Sequence, residues 1–317
     1  MASIICGVDV SSTELDARIG HDGLFGKFQN TPEGIKALVR FCEQNNVELV
    51  AMEATGGYEK QPFQLLWAQG VPAAIVNPRS VRRFAEAMGW LEKTDRIDAG
   101  MIAWYAATKG IKAMPPAPEV QNRLSALVTR LGQLINERTA QNNQRRLVDD
   151  PLVLESFTDV LAAIARQIRR LETEIAGLIE QDPLWRELDK AFRSVKGVAD
   201  RTVARLMALL PEIGVASAKG VSKLVGLAPL ARDSGKSKGK RPVRGGRRAI
   251  RANLFVITKV VCRYDPDFAA FHARLTAAGK PKKVIRVALA HKLLVRLNAK
   301  AREVRQAFAA APAAVSA

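Results

Sequence analysis

The spacing of apolar residues over the first 110 positions switches between the period of a strand and that of a helix. Ser3–Val10 (SIICGVDV) is a short apolar run and predicts a buried strand. Glu14–Gly20 and Gly23–Gln29 predict two more strands, joined by a His-Asp-Gly turn. Thr31-Pro32-Glu33 then opens a helix, with Thr31 as N-cap and Pro32 at the first helical position. Val47–Met52 predicts a fourth strand, followed by a helix near Tyr58–Gln69 and a short strand at Val71–Val76. Further helices are predicted near Arg79–Met88 and Asp95–Thr108. A three-strand meander followed by helix, strand, helix and strand fits a ribonuclease H-like α/β sheet.

Met114-Pro-Pro-Ala-Pro118 interrupts this pattern and marks a linker. Beyond it, apolar residues recur at Val120, Leu124, Leu127, Leu131 and Leu134. After a break at Asp149-Asp150-Pro151 they resume at Leu154, Phe157, Leu161, Ile164, Ile168, Leu171, Ile175 and Leu178. This heptad seam predicts two helices of about 28 residues, each roughly 40 Å long, folded into an antiparallel coiled-coil hairpin. Such a hairpin serves equally as an ordinary packed pair or as an arm joining subunits. From Asp182-Pro183 the chain is helical. Ser194–Ala204 resembles half of a helix-hairpin-helix, in which the backbone N–H groups of a Gly-containing turn hold a phosphate without reading sequence. Residues 231–251 predict a loop, and apolar helices follow near Ala249–Cys262 and Lys282–Lys300. The resulting division is 1–113, an α/β domain; 118–180, the hairpin; 181–303, a basic, mainly helical domain; and 304–317, a disordered tail.

Charge sharpens this division. Residues 1–110 hold 11 Lys/Arg and 13 Asp/Glu, residues 111–180 hold 9 of each, and residues 181–317 hold 29 basic and 9 acidic. The successive nets of −2, 0 and +20 place the whole surplus of +18 in the C-terminal part. Such a field attracts phosphate backbones, and no amphipathic membrane helix accompanies it, so nucleic acid is preferred over a membrane surface. No apolar run approaches the roughly 20 residues of a membrane span, and the first residues lack a signal-peptide pattern, so the chain is expected in the cytoplasm. Cys6, Cys42 and Cys262 are too scattered in sequence for a disulfide framework or a metal motif, and are read as small buried residues. His21, His272 and His291 are scattered likewise.

Four acids stand where chemistry is expected. Asp9 lies near the end of an apolar strand, where a carboxylate is costly unless it faces a cation or solvent. Glu53 holds the same place on the fourth strand, ahead of Ala54-Thr55-Gly56-Gly57-Tyr58. Asp95 and Asp98, three apart at a helix start, share a face. Each has an ordinary explanation alone, as a turn cap or a first-turn acid. Together, at the ends of adjacent elements, they are hard oxygen ligands suited to Mg²⁺ or Mn²⁺ and to in-line phosphoryl transfer.

A second constellation is the stretch 232–251, with nine Lys/Arg against one acid. Its cations Arg232, Lys236, Lys238, Lys240, Arg241, Arg244, Arg247, Arg248 and Arg251, with Lys196 and Gly197 of the helix-hairpin-helix-like turn, are candidate nucleic-acid contacts. Ser234 among these cations either decorates a phosphate-binding loop or acts as a nucleophile whose alkoxide they stabilise; composition leaves both open.

At these residues the chain resembles the DEDD transposases of the insertion sequence 110 family, the bridge-RNA-guided recombinases. The resemblance covers most of the chain. It runs through Gly-Val-Asp-Val-Ser (7–11), Glu-Ala-Thr-Gly-Gly-Tyr (53–58), Asn-Pro (77–78) and Lys-Thr-Asp-Arg-Ile-Asp-Ala (93–99). It continues through Gly-Leu-Ala-Pro (226–229), Asp-Ser-Gly (233–235), Gly-Gly-Arg-Arg (245–248) and Gly-Lys-Pro-Lys-Lys-Val (279–284). Each motif is weak alone; their order and spacing are specific. The resemblance implies a RuvC-like ribonuclease H fold, a coiled-coil arm and a transposase domain. It implies Mg²⁺ on Asp9, Glu53, Asp95 and Asp98, and Ser234 as nucleophile; Ser237 lacks the Asp-Ser-Gly setting. DNA and a guide RNA are the implied partners, with a homo-oligomer formed through the arm. A Holliday-junction resolvase or other nuclease using the acids alone is the competing expectation, and it leaves the Asp-Ser-Gly loop unexplained. A binding scaffold with an idle acidic site is the third, and it leaves the four acids unexplained.

Overall fold

A computed structural model describes residues 3–90, 95–231, 233–234, 237–239 and 241–310, and divides into two compact units, residues 1–117 and 118–317. The first unit is built on a five-stranded sheet of order β3-β2-β1-β4-β5, with β1 (Ile5–Val10), β2 (Glu14–Ile19), β3 (Phe25–Gln29), β4 (Leu49–Glu53) and β5 (Ala73–Val76). The meander β1-β2-β3 is antiparallel, and β1, β4 and β5 run parallel. Helices α1 (Pro32–Gln44), α2 (Lys60–Ala68), α3 (Pro78–Ala87) and α4 (Asp95–Lys109) complete it. The expected order is observed, with strand ends displaced by two residues at Ile5, Leu49 and Ala73. Thr31 caps α1 as expected, its hydroxyl accepting from the Gly34 amide at 3.2 Å. Asn77 caps α3 in the same way, accepting from the Arg79 amide at 3.0 Å.

Strand alternation divides this core between two faces. Cys6, Val8 and Val10 pack with Val50, Met52 and Ala73 beneath Ile35, Leu38 and Val39 of α1 and Phe63 and Leu66 of α2. The opposite face presents Ile5, Leu49, Ala51, Ala74 and Val76 to Val81 and Ala85 of α3 and to Met101, Ile102 and Ala103 of α4. Cys6 and Cys42, distant in sequence, meet in the first of these cores as free thiols. Their mutual hydrogen bond and burial push the Cys6 thiol well above its ordinary value.

On the second face α4 lies directly on the backbone of β1. A methyl at Gly7 would stand 2.0 Å from the Ala99 carbonyl oxygen and 2.5 Å from the Ala103 nitrogen. Both neighbours are backbone of a packed helix, so neither can turn aside.

The second unit opens with α5 (Glu119–Arg145) and α6 (Pro151–Gln181). They run antiparallel, as the ion pair of Arg123 near the start of α5 with Glu174 near the end of α6 requires. Leu124, Val128, Leu131 and Leu134 of α5 are buried, as are Ile164, Ile168, Ile175, Leu178 and Ile179 of α6. The anticipated seam is only partly buried: Leu127 is partly covered, and Val120 is 44 % exposed. The same core continues through α7 (Pro183–Arg193), α8 (Asp200–Leu209), α9 (Ala218–Val225), α10 (Arg248–Tyr264), α11 (Pro266–Ala277) and α12 (Lys282–Ala310), so it crosses the boundary anticipated at 180/181.

Two expectations are corrected here. The stretch 231–251 is not wholly loop: β6 (Asp233–Ser234) and β7 (Ser237–Lys238) pair antiparallel within it. Residues 304–310 are not a disordered tail but the last turns of α12, because Val304 packs on the core and Arg305 donates to the Ile213 carbonyl at 2.9 Å. Residues 311–317 lie outside the described residues. Among the described residues no helix is long and apolar enough to cross a membrane.

Gly7→Val tests the contact that seats α4. It is expected to lower the stability of the first unit by about 3 kcal/mol or more through overpacking against backbone, read as a lower thermal midpoint in far-ultraviolet circular dichroism. A midpoint equal to wild type would show that α4 can move off β1 freely.

Candidate active site and nucleic-acid interface

The sheet register sets the acids in a row. Asp9 of β1 is the direct cross-strand partner of Asp16 on β2. Val8 pairs with Met52, so one step further Asp9 stands beside Glu53 on the adjacent parallel strand. Registered residues share a face, so Asp16, Asp9 and Glu53 form three consecutive carboxylate positions, about 5 Å apart from strand to strand. This is the face on which α4 lies, with Ala99 over Gly7 and Asp95 and Asp98 in the turn before and around it. Asp9, Glu53 and Asp98 are half-buried and Asp16 is buried. The side chain of Asp95 lies outside the described residues, as do Lys93 and Thr94.

Asp16 is the residue that sequence reasoning missed. Its signal was an acid in a strand at an inward position, between the buried Leu15 and Ala17, with Lys27 opposite on β3. Lys27 pairs with Glu14 at 2.7 Å. Like charges set directly across strands are destabilising, and a divalent cation relieves that repulsion while matching carboxylate oxygens as hard ligands. The donor chemistry of the row therefore fits Mg²⁺ or Mn²⁺. Among the described residues, however, no three His, Cys, Asp or Glu side chains already converge closely enough to hold an ion.

The loops around the row are tied by hydrogen bonds. The Glu59 carboxylate, 8 % exposed, accepts from the amides of Thr55 at 3.0 Å and Gly57 at 2.9 Å, shaping the loop that leaves Glu53. Ser11 closes the turn after Asp9, its hydroxyl accepting from the Glu14 amide at 2.9 Å. Asn30 bridges the two, donating to the carbonyls of Ser11 at 2.9 Å and Tyr58 at 3.4 Å.

In the second unit Ser234 is exposed on β6, with Ser237 as its cross-strand partner. The base of this hairpin is closed by the Leu230 amide donating to the Pro242 carbonyl at 3.0 Å. Its return leg is locked onto α9. A methyl at Gly246 would stand 2.4 Å from the Gly226 nitrogen, and the Arg247 amide donates to the Leu224 carbonyl at 2.8 Å.

The candidate cations separate into two groups. Arg247 makes a two-pronged ion pair with Glu212, 2.5 Å at each prong, and Arg251 donates to the carbonyls of Val225, Gly226 and Gly245. Both are tied to the protein's own loops. Gly197, at φ 96°, lies close against Val260 and Val261 of α10. Lys196, Arg241, Arg244 and Arg248 have exposed side chains. Arg232, Lys236 and Lys240 lie outside the described residues, and of Lys238 only the backbone, in β7, is described.

Comparison with known proteins matches both parts of the chain to transposases. A transposase family profile, the DEDD type of IS110, matches residues 6–148, and a transposase profile of the IS116/IS110/IS902 family matches residues 189–273. The pilin gene-inverting proteins of Moraxella bovis and Moraxella lacunata are each 27 % identical over 310 residues, covering 93 % of this chain and 94 % of theirs. An uncharacterized 43.6 kDa protein of insertion element IS110 from Streptomyces coelicolor is 29 % identical over 168 residues, 52 % of this chain and 39 % of its own. Thermus thermophilus RuvC, solved with a Holliday junction substrate, superposes with a TM-score of 0.26 at 15 % identity over 35 % of this chain and 98 % of its own.

Two measurements test these local structures. Glu59→Ala leaves two amides without their acceptor, a loss of about 1–3 kcal/mol, and hydrogen exchange at Thr55 and Gly57 is expected to accelerate while the amides of β1 keep their protection. For Glu212, burial raises the carboxyl, but hydrogen bonding and charge from Arg247 outweigh it, and the net shift is downward. A depressed folded-state value contributes stability above the ordinary carboxylate range that disappears as pH falls through the folded value. Glu212→Gln is therefore expected to be less stable than wild type at neutral pH, with the gap closing on acidification below 4.5; a gap independent of pH would overturn this ion pair's role.

Proposed function

This chain belongs to the IS110 family of DEDD transposases, and on that premise we propose that it recombines DNA by cutting and rejoining strands through a covalent serine link. The observation that carries the reading is the carboxylate row Asp16–Asp9–Glu53 beneath the first turn of α4. The family relationship makes the chain an enzyme acting on DNA; its likeness to pilin gene-inverting proteins supports rejoining over simple cutting. The meander-then-parallel sheet supports a RuvC-like ribonuclease H fold for the first unit.

In the proposed reaction Asp9, Glu53, Asp95 and Asp98 would hold Mg²⁺, with Asp16 the neighbouring carboxylate on β2. Bound there, the cation supplies Lewis-acid polarisation of a phosphate oxygen and charge neutralisation. Ser234 Oγ attacks the scissile phosphorus. An Oγ–P bond forms and the bond from phosphorus to one deoxyribose oxygen breaks. The hydroxyl proton is lost to solvent, and the freed deoxyribose oxygen gains one. A phosphodiester is exchanged for a phosphodiester, so a second deoxyribose hydroxyl reverses the step on a new strand without an external energy source. The exposed Arg244 and Arg248, near the serine in sequence, are suited to neutralising the strand backbone. A structured guide RNA is the proposed source of sequence choice, since basic, aromatic-poor surfaces bind backbone more readily than they read bases.

The test is to incubate the protein with junction DNA of its element, Mg²⁺ and the adjoining non-coding RNA, then to run a denaturing gel. A protein–DNA adduct is expected, lost in Ser234→Ala and reduced on the order of a hundredfold or more in Asp9→Asn, a loss of the size seen for charge-stabilising groups. Asp16→Asn is expected to lower the rate less, by about tenfold, with a shifted metal-concentration optimum. An adduct that survives Ser234→Ala would remove the nucleophile assignment, and strand cleavage with no adduct would replace recombination by hydrolysis.

A further inference from the structure

Between α10, α11 and α12 lies a cavity of about 610 Å³. Lys259 reaches it from α10, Lys280 from the segment before α12, and Lys282 and Arg286 from the first turns of α12. No carboxylate is among the residues that line it. Elsewhere in this unit comparable cations are neutralised locally, as Arg296 is by Asp265 and Asp267. Among the described residues none of the four cavity cations is ion-paired with a carboxylate. A concave site lined by one sign of charge focuses its field and draws in the opposite sign.

Arg286 is held in place by the protein. Its guanidinium lies over the Phe255 ring at 3.9 Å and donates through Nη2 to the Phe255 carbonyl at 3.0 Å. Its Nε–H is buried and finds no acceptor among the described residues, so the charge is incompletely compensated. The start of α12 adds the positive end of a 29-residue helix beside Lys280 and Lys282. The rest of the lining is mixed: Ile285 and Leu289 are buried and apolar, Thr258, Cys262, His272 and Thr276 stand beside them, and Ala269 is exposed at the rim.

A cationic rim over an interior of apolar and hydrogen-bonding side chains matches a phosphate that carries a flat, partly apolar body. A duplex offers phosphates alone, with its bases stacked inside, and leaves the interior unfilled; an unpaired nucleotide fills both. The geometry points to this cavity as a binding site for one unpaired nucleotide of a polynucleotide strand, its phosphate among the four cations and its base against Ile285 and Leu289. The assignment rests on the nucleic-acid-binding reading of this unit and is independent of the chemistry at Ser234.

The experiment measures binding by fluorescence anisotropy, using the full chain with labelled single-stranded DNA, single-stranded RNA of the same sequence, and the DNA duplex. Lys259→Ala/Lys282→Ala is expected to weaken single-strand binding about tenfold and to flatten the slope of log affinity against log salt by about 1–2. The same charge removed on α9, in Lys219→Ala/Lys223→Ala, is expected to cost less than about threefold by general field alone. Ala269→Trp keeps the charge and fills the cavity mouth; it is expected to weaken single strands while leaving duplex affinity unchanged. A loss with the DNA strand, the RNA strand or both supports the site and identifies its source. Equal losses from the two lysine pairs, or an Ala269→Trp protein that binds single strands as wild type does, would overturn it. Absence of a Ser234 adduct with these results intact would remove the recombination reading and leave the cavity assignment standing.

Discussion

The contact of α4 with the backbone of β1 is the constraint on which the candidate active site depends. Gly7 leaves a space that any side chain would fill, and the Ala99–Ala103 turn of α4 occupies it. Because Asp9 follows Gly7 by two residues on the same face, the helix that covers Gly7 also lays its N-terminal part, with Asp98, over the face that carries the row of Asp16, Asp9 and Glu53. A larger residue at position 7 would lift α4 off the sheet face that carries the row. The chemistry thus rests on a packing decision at a residue with no functional group.

The second unit solves a different problem, that of presenting a short polar segment from a highly charged chain. Its return leg is anchored by Gly246 against α9, by the Arg247–Glu212 pair and by Arg251 on three carbonyls. The preceding loop is held against α12, where Asn298 accepts from the Gly214 amide at 2.8 Å and Arg302 and Arg305 donate to the carbonyls of Ala216 and Ile213. Many arginines of the basic region are therefore structural, satisfying buried carbonyls or carboxylates as a fork of rigid donors does. Net charge overstates the surface left for a polyanion. What remains includes the exposed Lys196, Arg241, Arg244 and Arg248 and the cavity lined by Lys259, Lys280, Lys282 and Arg286.

Much of this was legible in the chain itself. The order of strands and helices in the first unit follows from apolar period and from caps such as Thr31-Pro32 and Asn77-Pro78, because both act over a few residues. Asp9 and Glu53 were legible because a carboxylate at the end of an apolar strand conflicts with its surroundings. The length of α12 was not, since its last turns are held by Val304 and Arg305 against residues far away in sequence. The two-strand pairing at Ser234 was hidden in a segment whose composition reads as loop.

The amino-acid sequence by itself determined the elements, the location of the charge and the identity of the acids, since these depend on residue type and short spacing. Only the tertiary structure decided that Asp16 joins Asp9 and Glu53, that Arg247 and Arg251 serve the protein's own loops, and that four cations surround one cavity. Each of those outcomes depends on which distant segments meet. Strand register and helix packing settle that through many contacts at once, and no local pattern records it.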